Sequence, residues 1–218
     1  MKILNKIWFF VEGDAEHELV KCLTYQNPDR LKLFKDFKEF RKIDTNQQSH
    51  IPCYCENCED VDKIGKKIEE LTYLIERVDK LEIIVICDLE KLCNSSRKDE
   101  ITRKITKLNP TVKINFSFFN PKIENFYLEN KDIVKNVIKK TYKEKFQREA
   151  PQIDLEPNIS SKIYLIEQSF KKYGLRYKKP NFAENFFSQF NFMNSDNNAI
   201  KRILRFINNN INMEDLNI

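Results

Sequence analysis

Ile7-Trp8-Phe9-Phe10-Val11-Glu12-Gly13-Asp14-Ala15-Glu16-His17-Glu18-Leu19-Val20 decides the fold. Five apolar residues of strong β propensity stop at Glu12-Gly13, and beyond Asp14 the residues Leu19, Val20 and Leu23 recur at helical spacing. The stretch predicts a buried parallel strand turning directly into a helix, with Glu12 at the strand's C-terminal tip. In open α/β sheets that edge is where ligands bind, because strand ends and helix N-termini converge there. The chain has only three glycines, so Gly13 is expected to serve the sharp turn through a positive φ or a close backbone approach. The competing reading is a surface turn capped by Asp14, with Glu12 solvated.

Downstream, residues 26–48 are rich in charge and read as a short helix flanked by loops, leading to a second strand near Ser49 to Glu56. Ile64, Ile68, Leu71, Ile75 and Val78 form one stripe of an amphipathic helix over Asp60 to Val78. Leu81 to Cys87 is a nearly unbroken apolar run, the pattern of a central parallel strand covered on both faces. Ser95 or Ser96 can cap a helix running to about Leu108, and Pro110 forces an exit into a strand over Val112 to Phe118. This alternation predicts an α/β fold, a Rossmann-like and mostly parallel sheet flanked by helices, over residues 1–130.

From Asn120 onward the chain reads as helices, with breaks near Pro151, Pro157, Gly174 and Pro180. Residues 131–218 are expected to form a helical extension packed on the sheet domain. Phe182, Phe186, Phe187, Phe190 and Phe192 make an aromatic stripe, which at helical spacing reads as core or a partner interface, with nucleobase stacking as the alternative.

At 218 residues, 41% hydrophobic and 33% charged, the chain can bury a substantial core and is not of disordered composition. No apolar run reaches the roughly 18 residues of a membrane span, and no signal-peptide pattern opens the chain, so no membrane association and a cytoplasmic location are expected. Residues 131–218 hold 16 Lys and Arg against 10 Asp and Glu, leaving 22 against 23 for residues 1–130. The net charge of +5 is therefore C-terminal and permits a polyanionic partner.

Two strand ends carry acids: Glu12, and Asp88 with Glu90, which share a side if the segment stays extended. Glu124 follows the next strand in Phe119-Asn120-Pro121-Lys122-Ile123-Glu124-Asn125-Phe126, where Pro121 would start a short helix. Three strands would thus bring carboxylates to one edge. Like charges resist joint ionisation, and Mg²⁺ supplies a counter-charge suited to carboxylates and to phosphoryl transfer. The plainer alternative is that these acids are helix caps.

FFVEGDAE followed by IIVICDLE resembles the Toprim domain, whose pattern is a strand-terminal Glu-Gly and a later strand-terminal Asp-x-Asp. The spacing, with Glu16 four residues after Glu12, resembles the OLD-type branch and the small RloB-like bacterial proteins associated with phage defence. Pro121 to Leu128 is similar to the proline, Ile-Glu and aromatic-leucine motif of those proteins. More loosely, Tyr177-Lys178-Lys179, Asn194-Ser195 and Phe206 resemble their helical end. The resemblance covers residues 7–130 and, weakly, 160–207. It implies a catalytic set of Glu12, Asp88 and Glu90 serving Mg²⁺ or Mn²⁺, with Glu16 and Glu124 completing the metal site. Glu90 departs from the family's second Asp. Lys122, Lys178 and Lys179 are candidates for holding a phosphate.

His50, Cys53, Cys55 and Cys58 are a possible zinc set, against which stands their reading as small buried hydrophobes, since no second half-site follows. Cys87 and Cys93 read as core and loop positions. The expected function is Mg²⁺-dependent hydrolysis of DNA or RNA, in phage defence by the resemblance. No Walker-type loop is present, so any ATPase would be a separate partner. A homo-oligomer stays open. The rivals are a non-catalytic Toprim-like module that binds protein through the Phe-rich helices, and a receiver-like phosphotransfer domain.

Overall fold

A strand covered on both faces must be apolar at consecutive positions, and in β1 (Lys6–Val11) the five residues after Lys6 meet that condition; all six are buried in the computed structural model of the protein. The structure describes residues 6–44, 49–59, 61–70, 81–89, 99, 101–103, 106–107, 112–120, 122–155 and 162–210. β1 leads into helix α1 (Asp14–Gln26), then β2 (Leu31–Phe34), α2 (Phe37–Lys42), β3 (Ile51–Asn57) and α3 (Val61–Glu70). β4 (Leu81–Asp88) and β5 (Lys113–Phe119) complete a five-stranded, all-parallel sheet of order β2-β3-β1-β4-β5. From β1 the chain crosses to the edge strand β2, comes back inward with β3, and then passes to the other side of β1 to add β4 and β5. The reversal point of this Rossmann-like α/β fold therefore lies between β1 and β4.

Residues 26–48 depart from expectation, because Leu31–Phe34 is an edge strand that precedes the helix. Only Leu31 of its four residues is buried, so it lacks the long apolar run that marks an interior strand. The strand expected from Ser49 is β3, and the one expected from Val112 is β5. Ile64 of α3 is buried as the stripe requires, whereas Leu71, Ile75, Val78, Ser95, Ser96, Leu108 and Pro110 lie outside the described residues.

The pleat divides the core in two. Ile7, Phe9 and Val11 of β1 join Ile84 and Ile86 of β4 on one face, while Trp8 and Phe10 join Ile83, Val85 and Cys87 on the other. The first face is roofed by α1 and the C-terminal helices α4 (Ile123–Glu129), α5 (Lys131–Phe146), α6 (Lys162–Lys172), α7 (Lys179–Gln189) and α8 (Asn198–Asn210), whose apolar residues belong to the same cluster. All five phenylalanines of the stripe are buried there. Phe186 meets Tyr127 at 4.7 Å between ring centroids, and Phe190 meets Phe126 at 4.9 Å, both edge to face. The stripe is therefore core. Gly174, at the turn after α6, has φ +68°, a left-handed conformation that favours glycine.

Candidate acidic site at the sheet edge

The register places Val11 opposite Ile86, so both strands end at nearly the same height. The Glu12 N–H extends the ladder by one step to the Ile86 carbonyl at 3.1 Å. In return the Asp88 N–H donates to Glu12 Oε2 at 2.9 Å. Asp88 Oδ1 then accepts the N–H of Ile123, the first residue of α4, at 2.8 Å. One residue on, Glu124 is 2% exposed and its Oε1 lies 3.0 Å from Lys179 Nζ at the start of α7. A polar thread thus runs from β1 through β4 and α4 to α7, crossing the sheet's reversal point.

Glu16 stands one turn along α1 from Glu12 and is 2% exposed. Burial, then the charges of Asp88 and Glu12, push its carboxyl up to about 8, although Lys179 opposes the shift. Burial likewise pushes Asp88 up to about 7, with Glu124 and Glu12 adding and the Ile123 N–H opposing. Burial alone would lower Lys179, but Glu124, Glu16 and Asp88 outweigh it and hold the ammonium above its ordinary range. Glu12, Glu16, Asp88 and Glu124 thus share one low-dielectric neighbourhood in which Lys179 is the cation that reports on three of them.

Gly13 caps α1 with φ −161°, an extended conformation open to any residue, and not the positive φ expected. A methyl group added there would stand 3.5 Å from Glu16 Oε2, an ordinary contact, so close approach does not demand glycine either. Asp14 lies in the first turn of α1, where its Oδ1 accepts from Asn57 Nδ2 at 2.9 Å.

Tyr127 and Tyr177 are members of this neighbourhood that the site reading missed. Both hydroxyls are buried without a hydrogen-bond partner among the described residues, as is Glu124 Oε2. Burial, then Glu16, Tyr177, Glu124 and Asp88, hold the Tyr127 hydroxyl well above its ordinary value. The available signal was spacing, since Tyr127 is three residues after Glu124 and shares its helix face.

Lys178 caps α7 and is exposed, and Lys122 caps α4 through its backbone, its carbonyl accepting from the Asn125 N–H at 3.0 Å. Glu90 and Cys93 lie outside the described residues. Cys53 is buried in the cluster beneath α1 and Cys55 packs against it, whereas Cys58 belongs to the opposite cluster and His50 bonds Ser49 through Nδ1 at 2.7 Å. Burial raises the Cys53, Cys55 and Cys58 thiols above their ordinary value, as expected of buried apolar sulfur.

Comparisons with protein-family models, curated proteins and solved structures find no match for this chain. The acidic donors are all hard oxygens, the class Mg²⁺ takes, and Glu124 Oε2 is buried without a hydrogen-bond partner among the described residues. Among the described residues, no three His, Cys, Asp or Glu side chains converge in metal-holding geometry. The donor chemistry fits a divalent cation, and holding one would require these side chains to rearrange. Also among the described residues, no helix is long and apolar enough to cross a membrane.

Proposed function

We propose that this protein is a Toprim-like, divalent-cation-dependent phosphodiesterase acting on nucleic acid. The observation that carries the proposal is the gathering of Glu12, Glu16, Asp88 and Glu124 at the reversal point of a parallel sheet, where Asp88 and Glu16 hold protons near neutral pH. Glu12, Asp88 and Glu124 would hold Mg²⁺, and the Toprim resemblance adds Glu90. When bound, the cation neutralises phosphate charge and makes water a better nucleophile. Glu16, once it has released its own proton, can accept one from attacking water. Lys179 can leave Glu124 for a phosphate oxygen, and the basic excess of residues 131–218 can hold the strand's backbone. A role in phage defence beside a partner ATPase rests on the Toprim resemblance.

The Lys179–Glu124 pair favours a second reading, in which an internal cation balances the cluster and the domain is a non-catalytic Toprim-like module. The burial of the Phe stripe removes it as that module's docking face. The test is incubation of the purified protein with labelled single- and double-stranded DNA and with RNA, in Mg²⁺, Mn²⁺ or EDTA. Metal-dependent cleavage that disappears in Asp88→Asn is expected. Intact substrates in every condition would establish the second reading.

A further inference from the structure

Between α6 and α7 the chain leaves the helix over residues 173–178. α6 ends in a Schellman turn, in which the Gly174 N–H donates to the Lys171 carbonyl at 2.9 Å and the Leu175 N–H to the Phe170 carbonyl at 2.8 Å. Beyond that turn burial alternates. Leu175 is buried, the Tyr177 ring packs on Phe170 and Phe182 at 5.6 and 5.5 Å between centroids, and Arg176 and Lys178 are exposed. This is the period of an extended chain, and Lys178 itself is extended, with φ −133° and ψ 114°. Arg176 and Lys178 therefore stand on one outward side, their Cα atoms about 6–7 Å apart by the rise of an extended backbone. Residues 168–183 hold five Lys and Arg, at 171, 172, 176, 178 and 179, and no Asp or Glu. Lys145 of α5 adds a cation beside the turn, its Nζ donating to the Gly174 carbonyl at 2.7 Å. The inner side of the same segment meets the acidic cluster: Lys179 reaches Glu124 at 3.0 Å, and Glu124 and Glu167 add to burial in raising the Tyr177 hydroxyl.

We propose, resting on the reading of the acidic cluster as a phosphodiesterase site, that the outward face of Gly174–Lys178 is the track along which one nucleic-acid strand enters that site. Two cations one dipeptide apart match successive phosphates of an extended single strand. Arg176 offers a planar fork of donors to one phosphate, and Lys178 a point charge to the next. The cations form a single row, so they neutralise one backbone and leave the second strand of a duplex without contact. Lys179 stands where the row meets the cluster, and a phosphate arriving there competes with Glu124 for its ammonium.

The test is fluorescence anisotropy of the full chain in EDTA with a labelled oligothymidylate of about 15 nucleotides, within the range of single-strand site sizes. Affinity should fall as salt rises. Each phosphate contact adds about 0.7 to the slope of log affinity against log salt, so the double variant Arg176→Ala, Lys178→Ala should lower the slope by about 1.4. The double variant Lys38→Ala, Lys42→Ala removes the same charge from α2, on the other face of the sheet, and should leave the slope unchanged. All four positions are exposed, so melting temperatures should stay at the wild-type value. Glu124→Gln, by releasing Lys179, should tighten binding and steepen the slope by about 0.7. No strand binding, an equal loss of slope in the α2 variant, a duplex bound as tightly as the single strand, or polyglutamate competing as well as oligothymidylate would each overturn the proposal. No tightening in Glu124→Gln would overturn the delivery of the strand to the cluster. Binding that meets every expectation in a protein that cleaves nothing with Mg²⁺ would uphold the track and remove the phosphodiesterase reading.

Discussion

Glu12 Oε2 accepts the backbone N–H of Asp88 at 2.9 Å, so a side chain ending β1 fixes the backbone where β4 ends. This makes Glu12 both an acid of the cluster and a structural acceptor, and two substitutions separate the roles. Glu12→Ala leaves the Asp88 N–H without its partner, at a cost of about 1–3 kcal/mol. Glu12→Gln keeps an acceptor oxygen in place and should retain wild-type stability in urea while losing about two to three orders of magnitude in cleavage rate. Equal destabilisation by both variants would show that charge, not the hydrogen bond, carries the structural role.

Asp88 supports a parallel experiment at α4. Its Oδ1 receives the Ile123 N–H at 2.8 Å, acting at a helix start as a capping side chain would. Asp88→Ala should cost about 0.5–2 kcal/mol by freeing that donor, and Asp88→Asn less, since its amide oxygen can still accept. Hydrogen exchange at Ile123 should quicken in the alanine variant. Exchange that stays as slow as in the wild type would rule out this tether.

The cluster's titration gives stability a direction with pH. Burial raises Glu16 from 4.5 to about 8, and Asp88 from 3.8 to about 7. Between those limits the folded chain holds protons that the unfolded chain has released. Stability in EDTA should therefore fall as pH rises from about 5 to 8, by at most about 1.4 kcal/mol per proton per pH unit. Glu16→Gln, neutral at every pH, should flatten the slope and raise the melting temperature at pH 8 above wild type. A slope unchanged in that variant would exclude Glu16 as its source.

Phe186 tests whether the C-terminal helices and the sheet share one core. It is fully buried against Phe126, Tyr127 and Phe182 in the cluster that also holds Phe9 and Ile84. Phe186→Ala should cost about 3–5 kcal/mol and lower a single cooperative transition. Two separate transitions would indicate that residues 131–218 unfold independently.

The sequence was most legible where one force dominates. Consecutive burial made β1 and β4 plain, and the helical spacing of Phe182, Phe186 and Phe187 pointed correctly to core. Leu31–Phe34 was not legible, because a half-exposed edge strand is too short to outweigh its charged surroundings. At the site, strand-end position picked out Glu12, Asp88 and Glu124. Gly13 was over-read, since its turn proves extended. The pairing of Lys179 with Glu124 depends on how α4 and α7 meet, a long-range packing fact that no local pattern encodes.

Lys179 gives the sharpest test of the site's electrostatics. Its ammonium lies 3.0 Å from Glu124 Oε1, and its side chain is 44% exposed. Lys179→Met keeps much of the chain's bulk but leaves four acids without that cation. Solvent screening keeps the expected loss of stability in EDTA to about 1–2 kcal/mol, below the roughly 3–5 kcal/mol of a fully buried pair. A divalent cation binding the folded state would offset the loss by mass action. Added Mg²⁺ should consequently raise the melting temperature of Lys179→Met more than that of the wild type, whose lysine competes for Glu124. Equal Mg²⁺ shifts in the two proteins would place any bound cation away from Glu124. No shift in either would mean that the acids are balanced internally and favour the non-catalytic reading.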